Sequence, residues 1–244
     1  MIFVDLNCDV GEGMGSDAEL MPFITSANIA CGGHAGDVAS MRATVSLAQA
    51  HGVGMGAHPG YEDWANFGRR ELEMPAAALR ELMIRQISAL GELAPVRHVK
   101  PHGALYNRAA RERAVADLVV EAIVAVDPSL ILFALAGSEL ARAGRARGLS
   151  VAEEVFADRS YRADGSLTPR TESNALIDDE RVVLARAVQM IEHGTVRATD
   201  GSLLKISADT LCLHGDGANA ASLARGLRHG LTRAGITLRA FVPA

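Results

Sequence analysis

The strongest constraint on the fold is a pattern that recurs along the chain, in which a short apolar segment ends in charged or imidazole side chains set among glycines and prolines. The clearest copy is residues 99–107, where a valine is followed by Lys100, Pro101, His102 and Gly103. Proline fixes its own φ and biases Lys100 towards an extended conformation, while glycine adopts backbone angles that other residues avoid. A strand that ends by presenting a cation and an imidazole is typical of the rim of an active site.

About seven short apolar strands alternate with segments of helical periodicity, which predicts a parallel α/β sheet. The predicted strands are residues 2–6, 27–30, 53–57, 96–99, 130–135, 149–155 and 210–213. In a (β/α) barrel all strand ends point to one face, where active sites lie, whereas a doubly wound open sheet gathers only the ends near its switch point. Because six of these strands end in charged residues or imidazoles, the pattern favours the barrel.

Between the strands, apolar residues recur at helical spacing, and one segment has the turn chemistry of a hairpin. The predicted helices are residues 41–51, 75–90, 114–126, 179–191 and 220–234, and the predicted hairpin is residues 196–206 around Asp200 and Gly201. Residues 156–177 show little periodicity, and loops of this length are uncommon unless they carry function.

Length and composition limit the class of protein. The chain has 244 residues, of which 49% are hydrophobic, and this matches the ~250 residues typical of a (β/α) barrel. No domain boundary or low-complexity tract is evident, so we predict a single domain spanning residues 1–244. The formal net charge of -5 argues against nucleic-acid binding, which usually requires a basic stripe.

The sequence also predicts where the protein works. No apolar run approaches the ~18 residues of a transmembrane helix, and Asp5 interrupts the first apolar stretch, so we expect neither a membrane span nor a signal peptide. The three cysteines, Cys8, Cys31 and Cys212, form no CxxC pair and lie within or at the end of apolar runs. This predicts reduced, buried thiols in a cytoplasmic protein.

Carboxylates surround the end of the first strand. Asp5, Asn7 and Asp9 alternate and therefore share one face of a strand, and Glu12 follows. In a barrel that face is the interior, where an unpaired carboxylate is costly. The set therefore has two interpretations: a hydrogen-bonded structural cluster, or a group that ligates a metal, acts as a general base or positions a substrate.

Four histidines, His34, His58, His102 and His214, each follow a predicted strand. A single buried histidine is more often hydrogen-bonded than catalytic, but four at equivalent positions of a repeating architecture indicate function. Neutral imidazoles with carboxylates suit zinc or another transition ion, and a histidine pair suits proton transfer. No HExxH or similar local pair occurs, so the spacing does not require a metal.

The cationic residues favour an anionic substrate. Lys100 would pair with a carboxylate, stabilise charge developing on an oxygen or hold a substrate carboxylate. Arg69, Arg70, Arg159 and Arg170 lie in loops expected on the same face, and guanidinium groups bind carboxylate or phosphate. No GxxxxGK[ST] loop occurs and no convincing GxGxxG follows a strand, so a chain that bound ATP by itself would need an unusual site.

Motifs spread over essentially the whole chain resemble the LamB/YcsF family, which forms one of the three subunits of bacterial 5-oxoprolinase. They are DLNCDVGEG (5–13), NIACGGHAGD (28–37), GAHPGYED (56–63), FGRRE (67–71), VKPHGALYN (99–107), EEVFADRSYRADGSLTPR (153–170) and DTLCLHGD (209–216). The resemblance implies a seven-stranded (β/α) barrel of the glycoside hydrolase/deacetylase type. It also implies ATP-coupled opening of the lactam of 5-oxo-L-proline to L-glutamate, together with the other two subunits, 5-oxoprolinase subunits B and C.

This reaction suggests roles for the candidate residues. Arginines would hold the substrate carboxylate, a carboxylate with a histidine would activate water, Lys100 would stabilise the oxyanion, and His214 with Asp216 would act as an acid and its orienting carboxylate. The residues expected in catalysis are Asp9, Glu12, His34, Lys100, His102, His214 and Asp216. Those expected to bind the substrate are Asn7, His58, Arg69, Arg70, Asn107, Arg159 and Arg170.

Two alternatives stay open. One is a metal-dependent amidase or deacetylase that uses the aspartate and histidine residues to hold zinc. The other is a non-catalytic subunit that binds 5-oxoproline without chemistry. The sequence also leaves open whether ATP binds to this chain or to its partner subunits, and whether a divalent metal takes part.

Overall fold

A closed barrel of seven parallel strands forms the centre of the computed structural model, which describes residues 2–213 and 220–243. The strands are β1 (Ile2–Val10), β2 (Ser26–Ala30), β3 (Gly54–His58), β4 (His98–Val99), β5 (Ile131–Leu135), β6 (Val151–Phe156), β7 (Thr195–Arg197), β8 (Leu203–Lys205), β9 (Thr210–Leu213) and β10 (Ile236–Leu238). Strands β1 to β6 pair in sequence order, and the barrel closes because β9 pairs with both β6 and β1. The predicted seven-stranded (β/α) barrel is confirmed.

Helices surround this barrel and connect its strands. They are α1 (Asp17–Leu20), α2 (Val38–His51), α3 (Ala76–Gly91), α4 (Gly103–Arg111), α5 (Arg113–Val126), α6 (Glu139–Ala146), α7 (Glu180–His193) and α8 (Ala220–Arg233). Helix α2 shows why the ends fall where they do: the Asp37 side chain accepts the Ser40 amide at its start, and Gly52 ends it at a φ of 65°. Within the described ranges, no helix has the length and apolar character needed to cross a membrane.

The first strand is longer than the sequence indicates. Strand β1 continues to Val10 because residues 7–10 pair with β2 while residues 5–8 pair with β9. Asn7 and Asp9 therefore belong to the strand itself and do not follow it. Their side chains are buried together with that of Asp5, as expected for alternating residues that face a barrel interior.

Two further features complete the architecture. The predicted hairpin is confirmed as the antiparallel pair β7 and β8. Strand β10, which the sequence analysis did not predict, pairs with the beginning of β1 outside the barrel. The three cysteines are buried and form no disulfide, as predicted for their positions in apolar runs; that they are reduced stays a prediction.

Candidate active site at the mouth of the barrel

The deepest polar layer of the barrel is built on Asp5. One of its carboxylate oxygens accepts hydrogen bonds from the hydroxyls of Thr25 (2.6 Å) and Ser26 (2.7 Å), and the other accepts from Thr210. Burial raises the pKa of Asp5 to about 6, although the three hydroxyl donors oppose this. These contacts support the structural interpretation for Asp5, which links three strands of the barrel.

Lys100 occupies the next layer and is almost completely buried, with 3% of its surface exposed. Its ammonium group lies 2.9 Å from Asp9 Oδ1 and 2.9 Å from Glu154 Oε1, and it also donates to Asn7 Oδ1 at 3.3 Å. Burial disfavours the charge, but the adjacent carboxylates hold the pKa of Lys100 well above its usual value. Lys100 is therefore a fixed cation at neutral pH and not a general base.

Glu154 is held in place by neighbours from other strands and helices. Asn7 Nδ2 donates to its Oε1 at 2.9 Å, and the Tyr106 hydroxyl donates to its Oε2 at 2.6 Å. Burial and the nearby Glu154 charge raise the pKa of Tyr106 well above its usual value, so its hydroxyl keeps its proton and donates. The carboxylate that opposes Lys100 thus has a fixed orientation.

Asp9 is oriented by a second chain of hydrogen bonds. Asn28 Nδ2 donates to Asp9 Oδ1 at 2.8 Å and to Asn7 Oδ1 at 2.7 Å. His98 Nε2 lies 2.8 Å from Asn28 Oδ1, and its ring stacks on Phe133. Burial lowers the pKa of His98 to about 3, so the neutral ring donates Nε2–H to the amide oxygen and fixes the orientation of Asn28.

Three imidazoles and a carboxylate gather above Lys100. Glu12 Oε1 lies 2.9 Å from His34 Nε2, 3.5 Å from His102 Nδ1 and 4.0 Å from His58 Nε2. The rings of His34 and His102 stack with centroids 3.5 Å apart, and the His58 ring is perpendicular to both. Burial lowers the pKa of His34, and burial together with the neighbouring imidazoles lowers that of His102 well below its usual value.

The loop after β3 packs closely against these rings. Gly68 has a φ of 62°, and a Cβ at this position would lie 2.7 Å from the Cβ of His34. Phe67, a non-glycine residue, has a φ of 54°, a conformation that costs about 1–3 kcal/mol and tends to occur at functional sites. This backbone directs the Phe67 carbonyl to His102 Nε2 at 2.9 Å.

A cavity of about 810 Å³ opens above the cluster. Its floor includes Asp9, Glu12, His58, Lys100 and His102, while the start of α4 and the loops after β5 and β6 form its walls. The arginines that line it are Arg69, Arg111, Arg142, Arg159, Arg162 and Arg170. Three of them pair with carboxylates, Arg111 with Glu71, Arg142 with Glu139 and Arg162 with Glu172. The wall therefore carries both charges, with more arginines than the acidic residues Glu71, Glu139 and Asp164, and guanidinium groups bind carboxylate or phosphate.

Comparison with known proteins identifies the family. The model of the LamB/YcsF family matches residues 4–244. The chain belongs to the LamB/YcsF family.

One solved structure agrees with this assignment, and two more distant ones share the fold. The crystal structure of the lactam utilization protein from Thermus thermophilus is 41% identical, covers 98% of this chain and 100% of that chain, and superposes with a TM-score of 0.92. The fold is shared by a family 4 carbohydrate esterase from Streptomyces lividans, which is 12% identical, covers 100% of this chain and 98% of that chain, and has a TM-score of 0.50. It is also shared by the T48 deacetylase, which is 12% identical, covers 99% of this chain and 94% of that chain, and has a TM-score of 0.50.

The structure brings together most of the residues that the sequence analysis selected in this LamB/YcsF protein. Seven of them form the interior cluster: Asn7, Asp9, Glu12, His34, His58, Lys100 and His102. Four more lie on the cavity wall: Arg69, Asn107, Arg159 and Arg170. His214 and Asp216 fall outside the described residues, so their roles stay predictions.

Two of the arginines differ from the rest in their surroundings. Arg159 is buried and donates to the carbonyl oxygens of Thr168 and Ala175, so it holds the loop after β6 together. Arg70 is not among the residues that line the cavity. Its side chain is 65% exposed and lies 3.6 Å from Asp63.

The sequence analysis did not select Glu154, His98, Asn28, Tyr106 or Cys212, all of which contact the cluster. Glu154 lies within the run Val151–Phe156, where two adjacent glutamates interrupt an otherwise apolar strand. Adjacent strand residues point to opposite faces, so one of the two glutamates faces the interior, where a charge is costly unless it is paired; Glu153 pairs with Arg145 on the outside. That signal could have found Glu154.

Proposed function

We propose that this protein is a subunit of an ATP-dependent 5-oxoprolinase that opens the lactam of 5-oxo-L-proline with water to give L-glutamate. Membership of the LamB/YcsF family and 41% identity to a lactam utilization protein support the proposal. The observation that carries it is the buried, protonated Lys100, fixed by Asp9 and Glu154 at the floor of a cavity whose wall includes Arg69 and Arg170.

Lys100 fits the chemistry of lactam opening. Attack of water on a resonance-stabilised amide places negative charge on the carbonyl oxygen, and a fixed ammonium group stabilises that charge in a buried site. Transfer of a phosphoryl group from ATP to the lactam oxygen, with release of ADP, would make the carbon easier to attack. Water would then add to that carbon, phosphate would leave, and cleavage of the C–N bond would give glutamate, with Lys100 close to the negatively charged oxygen. The resulting phosphoryl and carboxylate groups are anionic, and Arg69 and Arg170 on the cavity wall would bind them.

The carboxylates beside the imidazoles would accept the proton of the attacking water. Asp9 Oδ1 faces Lys100 and Asn28, while Oδ2 lies 3.3 Å from His58 Nε2. Glu12 lies 2.9 Å from His34, and a neutral imidazole next to a carboxylate can relay a proton. We assign water activation to Asp9 or Glu12 with His34 or His102.

Subunits B and C complete the proposed enzyme. Because the chain has no P-loop motif, we assign ATP binding at least partly to these partners. We also propose a cytoplasmic location, where the three buried cysteines would stay reduced.

The experiment exploits the fact that the chain has two lysines. Lys100→Met and Lys205→Met are each combined with subunits B and C, their folding is checked by circular dichroism, and glutamate release from 5-oxoproline and ATP is measured. Removing one oxyanion donor typically lowers kcat by about 10²–10³, so Lys100→Met should lower the kcat for glutamate release at least about 100-fold. Lys205 is exposed on β8, and its variant should keep full turnover.

Two results would overturn the assignment. Full turnover by a folded Lys100→Met variant would show that Lys100 does not take part in the reaction. Unchanged turnover combined with weaker binding of 5-oxoproline would instead favour a non-catalytic binding subunit.

A further inference from the structure

We infer that Glu12, His58 and His102, with Asp9 beside His58, form a binding site for one divalent transition-metal ion of the zinc type. The site is argued from the positions of the ring nitrogens and carboxylate oxygens. It shares Asp9, Glu12 and His102 with the residues proposed above to activate water, so the metal test below measures binding and not glutamate release.

The first step concerns the proton of His58. Its Nδ1 lies 2.7 Å from the backbone carbonyl oxygen of Lys100. A carbonyl oxygen only accepts hydrogen bonds, so Nδ1 carries a proton, and in the tautomer with this single proton Nε2 carries a lone pair.

The same reasoning applies to His102 with the nitrogens exchanged. Its Nε2 lies 2.9 Å from the carbonyl oxygen of Phe67, so Nε2 carries the proton and Nδ1 carries the lone pair. Ring N–H groups held by backbone carbonyls are the arrangement that orients metal-binding histidines.

These two lone pairs point at each other. His102 Nδ1 and His58 Nε2 are 2.9 Å apart, and both side chains are buried. Two acceptors at this distance repel unless an electropositive species lies beside both of them. A shared proton or a metal ion would meet this requirement.

The neighbouring carboxylates favour the metal ion. Asp9 Oδ2 lies 3.3 Å from His58 Nε2, and Glu12 Oε1 lies 3.5 Å from His102 Nδ1 and 4.0 Å from His58 Nε2. Neighbouring ligands of a tetrahedral zinc ion with bonds of ~2.0–2.1 Å are separated by about 3.3 Å. A proton would satisfy the imidazole pair alone, whereas an ion beside both nitrogens would also reach Glu12 and lie next to Asp9.

Formal charge leads to the same conclusion. Asp9, Glu12 and Glu154 bring three negative charges into this buried region, and Lys100 brings one positive charge. The two remaining negative charges among these four side chains match one divalent cation, and buried charge is costly unless it is paired or bound to a metal. All four proposed ligands also line the cavity, so an ion has a route to the site.

His34 belongs to the same cluster, and its ligand atom lies within 4.8 Å of those of Glu12, His58 and His102. Its ring is parallel to that of His102, with an interplanar angle of 2° and centroids 3.5 Å apart. A metal ion lies close to the plane of each imidazole that binds it, so these two stacked rings cannot both bind one ion well. We therefore assign His34 as a positioning residue that orients Glu12 through the 2.9 Å contact.

The test measures metal binding to the full chain. The protein is stripped with a chelator, dialysed against zinc sulfate or cobalt chloride, and freed of loose ions. Wild type should retain about one ion per chain, and its cobalt form should show the visible bands of a four-coordinate site. Bound metal should also raise the Tm, because a ligand that binds only the native state stabilises it.

Three variants locate the ligands. His58→Gln and His102→Gln should each weaken zinc binding by more than about 100-fold, while His34→Gln should weaken it by about 10–100-fold or less, as for residues that act through a ligand. His51→Gln is the matched control, because His51 is exposed at the end of α2, and it should bind zinc like wild type. Circular dichroism confirms that each variant is folded.

Two results would overturn the inference. Wild-type protein that retains no zinc or cobalt after dialysis would show that the histidine pair shares a proton. Equal zinc binding by folded His58→Gln and His51→Gln would place the ion elsewhere. If the ligand variants fail to fold, the stoichiometry and cobalt spectrum of wild type still decide between these outcomes.

Discussion

Replacing Lys100 by methionine should destabilise the protein more than any surface charge change, because Lys100 neutralises two buried carboxylates. Its ammonium group lies 2.9 Å from both Asp9 and Glu154, and methionine preserves the apolar stem but removes the charge. Removing one partner of a buried ion pair typically costs about 3–5 kcal/mol, since the remaining charge has no compensation. We expect this loss in the free energy of unfolding of Lys100→Met.

Urea unfolding of the metal-free protein at neutral pH measures the effect. Arg113→Met is the matched control, because Arg113 forms a half-exposed pair with Asp117 one turn along α5, and such pairs contribute about 0–1 kcal/mol. The double variant Lys100→Met/Glu154→Gln should recover part of the loss, because it removes one of the two carboxylates. If the free energy of unfolding of Lys100→Met were within about 1 kcal/mol of the wild-type value, the assignment of a buried charge network would be refuted.

Three further predictions test other parts of the structure. Asp5 has a pKa raised to about 6 from 3.8, so its carboxyl group binds a proton more tightly in the folded protein than in the unfolded chain. The free energy of unfolding of wild type should therefore fall by up to about 3 kcal/mol as pH rises from 4 to 7. Asp5→Asn lacks this loss, and its stability deficit in urea should therefore narrow over that range; a constant deficit would contradict the raised pKa. Gly56→Ala should lower the free energy of unfolding by about 1–3 kcal/mol, because the added Cβ would meet the ring of the buried His98. Gly91→Ala places its Cβ in open space and should raise the free energy of unfolding by up to about 1 kcal/mol. Equal Tm values for these two would refute the packing argument. In the proposed complex with subunits B and C, Arg69→Ala should raise the KM for 5-oxoproline about tenfold or more. Arg70→Ala, outside the cavity lining, should not; equal effects would contradict this assignment.

Much of the fold could be predicted because its signals are local. Strands β5 and β9 are apolar runs bounded by turn residues, and the hairpin of β7 and β8 surrounds Asp200 and Gly201. The extension of β1 to Val10 was not predictable in this way. Its polar alternation resembles a loop, and it is a strand because it pairs with two others that are distant in the sequence.

The candidate site shows the same division. The meeting of His34, His58 and His102 followed from the rule that all strand ends of a parallel barrel share one face. The contact between Lys100 and Glu154 could not be predicted from that rule. Glu154 lies 54 positions further along the chain, and the two side chains meet only because the barrel closes. The tautomers of His58 and His102 depend on two backbone carbonyls, and no sequence pattern shows their direction.

Glutamate release from 5-oxoproline and ATP tests whether this LamB/YcsF protein opens a lactam as one part of a larger enzyme. Release is measured for this chain alone, for subunits B and C without it, and for all three together. We predict glutamate only from the complete mixture. Full-rate release by subunits B and C in the absence of this chain, or none from all three, would contradict the proposed function.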